Sequence, residues 1–199
     1  MIAAKDKRLP EPASHTDLEA TVRMLADRQA IRDCLANYCR AVDRLDRELL
    51  LSVYHPDAFE DHGVFVGDRE GFADWVIAFH SRAQHTTQHV ITNHTCELDG
   101  DVAHTETYYM FAAMNVEGSP LTLSGGRYID RFEKRDGRWA IAVRRVVSDW
   151  WGEPGAATLT PEARAVLNAG VHSSRDRQDT SYERPLAFDE RRRGTTFAI

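Results

Sequence analysis

The chain has 199 residues, a formal net charge of −6 and 42% hydrophobic residues. That suffices for one domain with a sizeable core and is short for two. The negative balance argues against a nucleic-acid partner, which needs a basic stripe along the phosphates. No apolar run approaches the roughly 18 residues of a membrane span. The N-terminal stretch MIAAKDKRLPEPASH has no apolar segment of a secretory signal, so the expected localisation is cytoplasmic. Cys34, Cys39 and Cys96 form no CxxC pair and read as core thiols in a reducing compartment.

Residues 1–16 are polar, contain proline and read as a flexible leader. The domain is expected over 17–151. Ile31, Leu35, Tyr38 and Val42 fall at i, i+4, i+7 and i+11, one apolar stripe of a helix expected near 18–44. Asp46 is placed to cap a second helix near 46–54, which His55-Pro56-Asp57 ends, because the residue before a proline resists helical geometry. Residues 58–66 look like a short strand or hairpin arm. A third helix, near 69–80, has Asp68 as its N-cap and Phe72, Trp75, Val76 and Phe79 on its buried face.

The period then changes to that of strands. Residues 86–98 are rich in β-branched side chains, and Asp99-Gly100-Asp101 is a hairpin turn signal. Further strands are expected near 102–114, 121–134 and 138–149, with Arg135-Asp136-Gly137 as another turn and the Gly125-Gly126 pair as a bulge. Three helices before a four-strand meander is an α+β plan, helices on one face of a strongly curved antiparallel sheet. Residues 152–199 form a charged extension expected to pack on its own or a neighbouring subunit. A short helix is expected from Thr160-Pro161-Glu162 to Asn168, and Tyr182, Leu186 and Phe188 are candidate anchors.

Motifs for nucleotide phosphates, zinc proteases and serine hydrolases are missing from the sequence. His89 and His94 lie five apart on one expected strand, which points them to opposite faces. The His55, Asp57, Asp61, His62 cluster reads as turn chemistry, so no metal and no cofactor is expected. What remains is a set of polar residues within apolar pattern. Tyr38 lies on the first helix's stripe, and a buried hydroxyl needs a partner. Asp43 lies off that stripe by roughly 80–120°, which by itself suits a solvent-facing carboxylate. A strand histidine such as His89 is commonly structural, yet an imidazole held by a carboxylate makes a good general base.

Three stretches carry a resemblance: NYCRAVDRLDRELLLSVYHPDAFEDHG (37–63), TQHVITNHT (87–95) and GGRYIDRFEKRDGRW (125–139). Their order and spacing resemble the SnoaL-like branch of the nuclear transport factor 2-like superfamily, which includes scytalone dehydratase, hexachlorocyclohexane dehydrochlorinase and the bacterial bile-acid dehydratase. The resemblance covers roughly residues 20–150, and the segment RDRQDTSYERPL (175–186) is also similar to some members. It implies a cone-shaped α+β barrel with a pocket at its open end.

Residue by residue, the resemblance makes Asp43 the carboxylate and His89 the histidine of a catalytic dyad, and Tyr38 a pocket tyrosine that polarises the substrate. The second catalytic group of the related dehydratases falls at Met110 or Phe111, and a second tyrosine falls near His62. The implied function is a cofactor-independent lyase on a hydrophobic, cyclic small molecule, with water loss as the elimination. Tyr38, helped by His62, would hydrogen-bond the carbonyl or departing group, and Phe79, Tyr108, Met110 and Tyr128 would line the apolar wall. The alternatives are an isomerase or cyclase with the same dyad, or a non-catalytic binding or assembly subunit. A homo-oligomer is expected, a trimer ahead of a dimer, with no membrane partner.

Overall fold

The computed structural model describes residues 15–154, 160–161 and 174–187. The chain opens with α1 (His15–Asp43) and α2 (Arg47–Ser52), followed by β1 (Tyr54–Asp61), β2 (Val66–Asp68) and α3 (Arg69–Ala83). A meander of β3 (Gln84–Asp99), β4 (Val102–Asn115), β5 (Leu121–Arg135) and β6 (Arg138–Gly152) completes the domain. Every helix and long strand expected over 17–151 is present. The helix expected from Thr160 to Asn168, and Phe188, lie outside the described residues apart from Thr160 and Pro161.

The sheet has six strands in the order β2-β1-β6-β5-β4-β3 and curls around the helices as an α+β cone. One expectation needs correcting: the sheet is not wholly antiparallel. The 58–66 arm is a β1–β2 hairpin, and β1 pairs in parallel with β6 while the other neighbours are antiparallel. The β1–β6 register shifts between Tyr54 and Phe59, across Pro56. A proline has no N–H to donate to a ladder, so it fits where pairing is interrupted.

The end of α1 matters most for the site. Asp46 N–H donates to Ala41 O at 2.9 Å and Leu45 N–H to Val42 O at 3.3 Å. Leu45 takes a φ of +53°. This is the paired-bond ending that turns a chain sharply out of a helix, here made without glycine. It leaves Asp43 as the last helical residue. Asp46 then caps α2 by accepting the Leu49 N–H at 3.1 Å.

Ile31, Leu35, Tyr38 and Val42 are fully buried, as their stripe requires, and pack with Leu50, Tyr54, Phe72, Tyr128 and Phe132. Cys34, Cys39 and Cys96 are buried free thiols. Among these apolar side chains lies a buried ion pair. Arg144 Nε and Nη2 donate to the two carboxylate oxygens of Asp130 at 2.7 and 2.8 Å, both side chains wholly enclosed. The guanidinium carbon lies 4.1 Å from the Tyr38 ring centre and 4.3 Å from that of Tyr128. Aromatic faces and a bidentate carboxylate together accommodate a charge that burial alone would penalise.

Residues 174–187 pack back onto the domain. Tyr182 donates its hydroxyl to Asp46 Oδ2 at 2.9 Å, under the Arg40 guanidinium at 4.3 Å. Arg175 Nη1 donates to the His80 and Gln84 carbonyls at 2.9 and 2.7 Å, satisfying acceptors at the C-terminal end of α3. Leu186, expected as an anchor, is 70% exposed.

Candidate active site

Asp43 and His89 meet across the α1–β3 contact. His89 Nδ1 donates to Asp43 Oδ1 at 2.7 Å, and the His89 backbone N–H donates to Oδ2 at 2.9 Å. Thr87 Oγ1 donates to Oδ1 at 3.0 Å. The solvent-facing reading of Asp43 is therefore corrected: the sharp chain reversal after α1 presents the last helical side chain to β3. Because an ionised carboxylate only accepts, the His89 proton sits on Nδ1. That leaves the Nε2 lone pair free of protein partners among the described residues, and His89 lines a cavity.

The cavity has a volume of about 450 Å³. Its apolar wall comes from α3 and the turn before β2: Trp75, Val76, Phe79 and Val64. Tyr109, Phe111 and Tyr128 close the sheet side. The polar lining is sparse: His62, His80, His89 and Ser124. A largely apolar hollow with few convergent polar groups is the usual form of a small-molecule site.

Of the residues expected at the site, His89, His62, Phe79 and Tyr128 line this cavity. Tyr108 and Met110 do not. They are 43% and 46% exposed, on the outer face of β4, and their neighbours Tyr109 and Phe111 face inward instead. Side chains alternate along a strand, so a one-residue difference in phase moves the whole set to the other face. Phe111 packs on His89 with ring centres 4.8 Å apart.

Tyr38 is not a wall residue either. It is fully buried behind Tyr128, ring centres 5.5 Å apart, and its hydroxyl has no hydrogen-bond partner among the described residues. Burial pushes the phenol pKa well above its ordinary value, with Glu60 adding to the rise, so the ring is a neutral platform for Arg144.

His94 shares a face with His89, contrary to the count along the strand. The β3–β4 register shifts between Ile91 and His94, with one extra residue on β3. His89, Ile91 and His94 oppose Phe111, Tyr109 and Thr107, alternate residues of β4 and hence one face. His94 Nδ1 is engaged with Thr107 Oγ1 at 2.8 Å. Among the described residues no group of three His, Cys, Asp or Glu side chains is arranged to hold a metal ion.

Four polar residues at the site were not singled out from the sequence. His80 lines the cavity, 5.7 Å edge-to-face from His89, with Nδ1 at 2.8 Å from Gln84 Oε1. Burial is the main cause that pulls its pKa down to about 4, so it is a neutral imidazole. Arg175 and Arg44 flank Asp43 in a second, more polar hollow of about 400 Å³ behind His89. Glu60 is fully buried and accepts from Tyr54 Oη at 2.8 Å and from His62 Nδ1 at 2.9 Å. Its signal was present in the sequence: Ala58, Glu60 and His62 alternate, the spacing of one strand face.

Comparison with known proteins agrees with this architecture. The SnoaL-like domain profile matches residues 23–145. The chain belongs to the SnoaL-like domain family. Among solved structures, hexachlorocyclohexane dehydrochlorinase LinA-type3 from Novosphingobium barchaimii LL02 superposes with a TM-score of 0.64 at 24% identity, covering 71% of this chain and 99% of that one. A candidate scytalone dehydratase from Novosphingobium aromaticivorans gives 0.62 at 17% identity, covering 71% and 96%. A Mycobacterium tuberculosis protein of unknown function gives 0.59 at 22% identity, covering 74% and 88%. These likenesses establish the SnoaL-like fold. No curated protein sequence matches the chain. No helix among the described residues is long and apolar enough to cross a membrane.

Proposed function

We propose that this SnoaL-like protein is a cofactor-independent lyase that eliminates water or a comparable group from a hydrophobic, cyclic small molecule. The observation that carries this reading is the Asp43–His89 pair, with Nδ1 bound to the carboxylate at 2.7 Å and the ring at the wall of an apolar cavity. An imidazole base needs one nitrogen held by an acceptor and the other free for substrate. His89 Nε2 removes the proton from a carbon next to the departing group. Asp43 keeps the ring in the productive tautomer and stabilises the imidazolium as it forms. The solved neighbours named for dehydrochlorination and scytalone dehydration support an elimination of this kind.

The shape of the site supports this substrate class. A hollow of about 450 Å³ suits a molecule of one to three rings. Trp75 and Phe79, stacked at 5.7 Å between ring centres, offer a flat apolar surface to it.

The test begins with a structure of the protein bearing whatever co-purifies in the cavity, which supplies the substrate framework. Turnover of that compound is then compared in the wild type and in His89→Ala. The expected outcome is a product lighter by one water or one small acid, with turnover lost in the variant. A product of unchanged mass assigns the dyad to isomerisation or cyclisation. Full turnover by His89→Ala removes His89 from the chemistry and favours a binding subunit.

A further inference from the structure

Glu60 and His62 form a second histidine–carboxylate pair at the same cavity. Glu60 lies in β1 and His62 directly follows that strand, whereas His89 lies in β3. The β1 and β3 strands are separated by β6, β5 and β4, so the curl of the sheet brings the two pairs to one hollow from distant strands. Glu60 is fully buried, and its two oxygens are divided between partners: Oε2 takes the Tyr54 hydroxyl at 2.8 Å, Oε1 takes His62 Nδ1 at 2.9 Å. The His62 ring stacks on Phe72 with centres 5.2 Å apart. Its Nε2 has no protein partner among the described residues.

The two pairs differ in the charges around them. Arg44 and Arg175 flank Asp43. Near Glu60 the buried cation is Arg144, and its bidentate grip is on Asp130. The ion-pair partner of Glu60 among the described residues is His62. A protonated His62 would carry a hydrogen on each ring nitrogen, Nδ1–H held by Glu60 and Nε2–H available to the cavity.

We infer that His62 is the general acid of the elimination, with Glu60 as its positioning residue. This rests on the His89 base reading and assigns the other half of the proton transfer. His89 Nε2 takes the proton from carbon, and the C–H electron pair becomes the new π bond. The bond to the departing group breaks with its electron pair, and that group takes the proton from His62 Nε2. His89 ends as the cation and His62 neutral; proton exchange with water restores both.

Benzisoxazoles test this without the natural substrate. A base removes their ring C–H proton, the N–O bond breaks, and the product is a nitrile with a phenolate that an acid can protonate. The nitro-substituted compound leaves as a stable phenolate, whereas the unsubstituted parent needs the proton more. Rates are measured for the wild type, His89→Ala, His62→Gln and Glu60→Gln, with thermal unfolding to verify folding and His62→Asn as the second variant. The expectation is that His89→Ala loses both reactions. His62→Gln should slow the parent on the order of 10²-fold or more and the nitro compound less than about 10-fold. Glu60→Gln should show the same leaving-group dependence with KM unchanged. Equal slowing of both compounds, or no slowing, by a folded His62 variant overturns the acid assignment and leaves the base reading standing. A wild-type rate no higher than that of His89→Ala overturns both.

Discussion

Asp43 holds His89 at two points, through the ring Nδ1 at 2.7 Å and through the backbone N–H at 2.9 Å. One carboxylate therefore fixes both the ring orientation and the strand that carries it. Asparagine has a single acceptor oxygen and cannot serve Nδ1–H and the backbone N–H together. Asp43→Asn should keep the fold but release the ring to the wrong tautomer, lowering kcat on the order of 10⁴-fold, the loss known for the aspartate of serine protease triads. Steady-state kinetics on the identified substrate, with circular dichroism for the fold, measures this.

His89→Ala should be mild for stability, within about 1 kcal/mol. Asp43 keeps the Thr87 hydroxyl and the residue-89 backbone N–H as donors, and the ring already borders a hollow. Urea unfolding measures this, and a loss of several kcal/mol would make His89 a structural residue.

The Arg144–Asp130 pair should behave in the opposite way. Both side chains are wholly enclosed, so removing one strands the other as an uncompensated charge. Burial already raises the Asp130 carboxyl pKa against the pull of Arg144. Asp130→Ala should cost about 3–5 kcal/mol, readable as a lower urea midpoint, whereas replacing both residues by apolar ones of similar volume should recover much of the loss.

His80 makes stability depend on acid. Its folded pKa is lowered to about 4 against an ordinary 6.5, so between these values the unfolded chain binds the extra proton. The contribution is complete above 6.5 and is lost as pH falls toward 4, amounting to about 3 kcal/mol in all. Unfolding free energies of wild type and His80→Gln, measured from pH 7 to pH 4, should show a shallower decline in the variant.

The outer face of the sheet suits an assembly. Val90 and Met110 are register partners, Met110 pairs with Gly125 and Gly125 with Trp150, giving an apolar row across β3, β4, β5 and β6. Val90, Met110 and Trp150 are each nearly half exposed in the single chain. Sedimentation at micromolar concentration is expected to give three subunits, ahead of two, and Met110→Lys should lower that mass. A wild-type mass of one subunit would count against either assembly.

The sequence by itself determined the succession of helices and strands. Helical stripes such as Ile31-Leu35-Tyr38-Val42, β-branched runs and Asp-Gly turns act over a few residues, so their outcome needs no knowledge of distant contacts. The resemblance further named Asp43 and His89 as a pair that periodicity alone would have separated. Tertiary structure decided which way side chains point. Inward phase on β4 falls to Tyr109 and Phe111 and not to Tyr108 and Met110, and the extra residue between Ile91 and His94 returns His94 to the face of His89. Both outcomes depend on how two strands pair, and a shift of one residue reverses every side chain beyond it. Tertiary structure likewise decided that Arg175 reaches back from the C-terminal segment to the end of α3, because its partners there are remote in the sequence and only the folded chain brings them together.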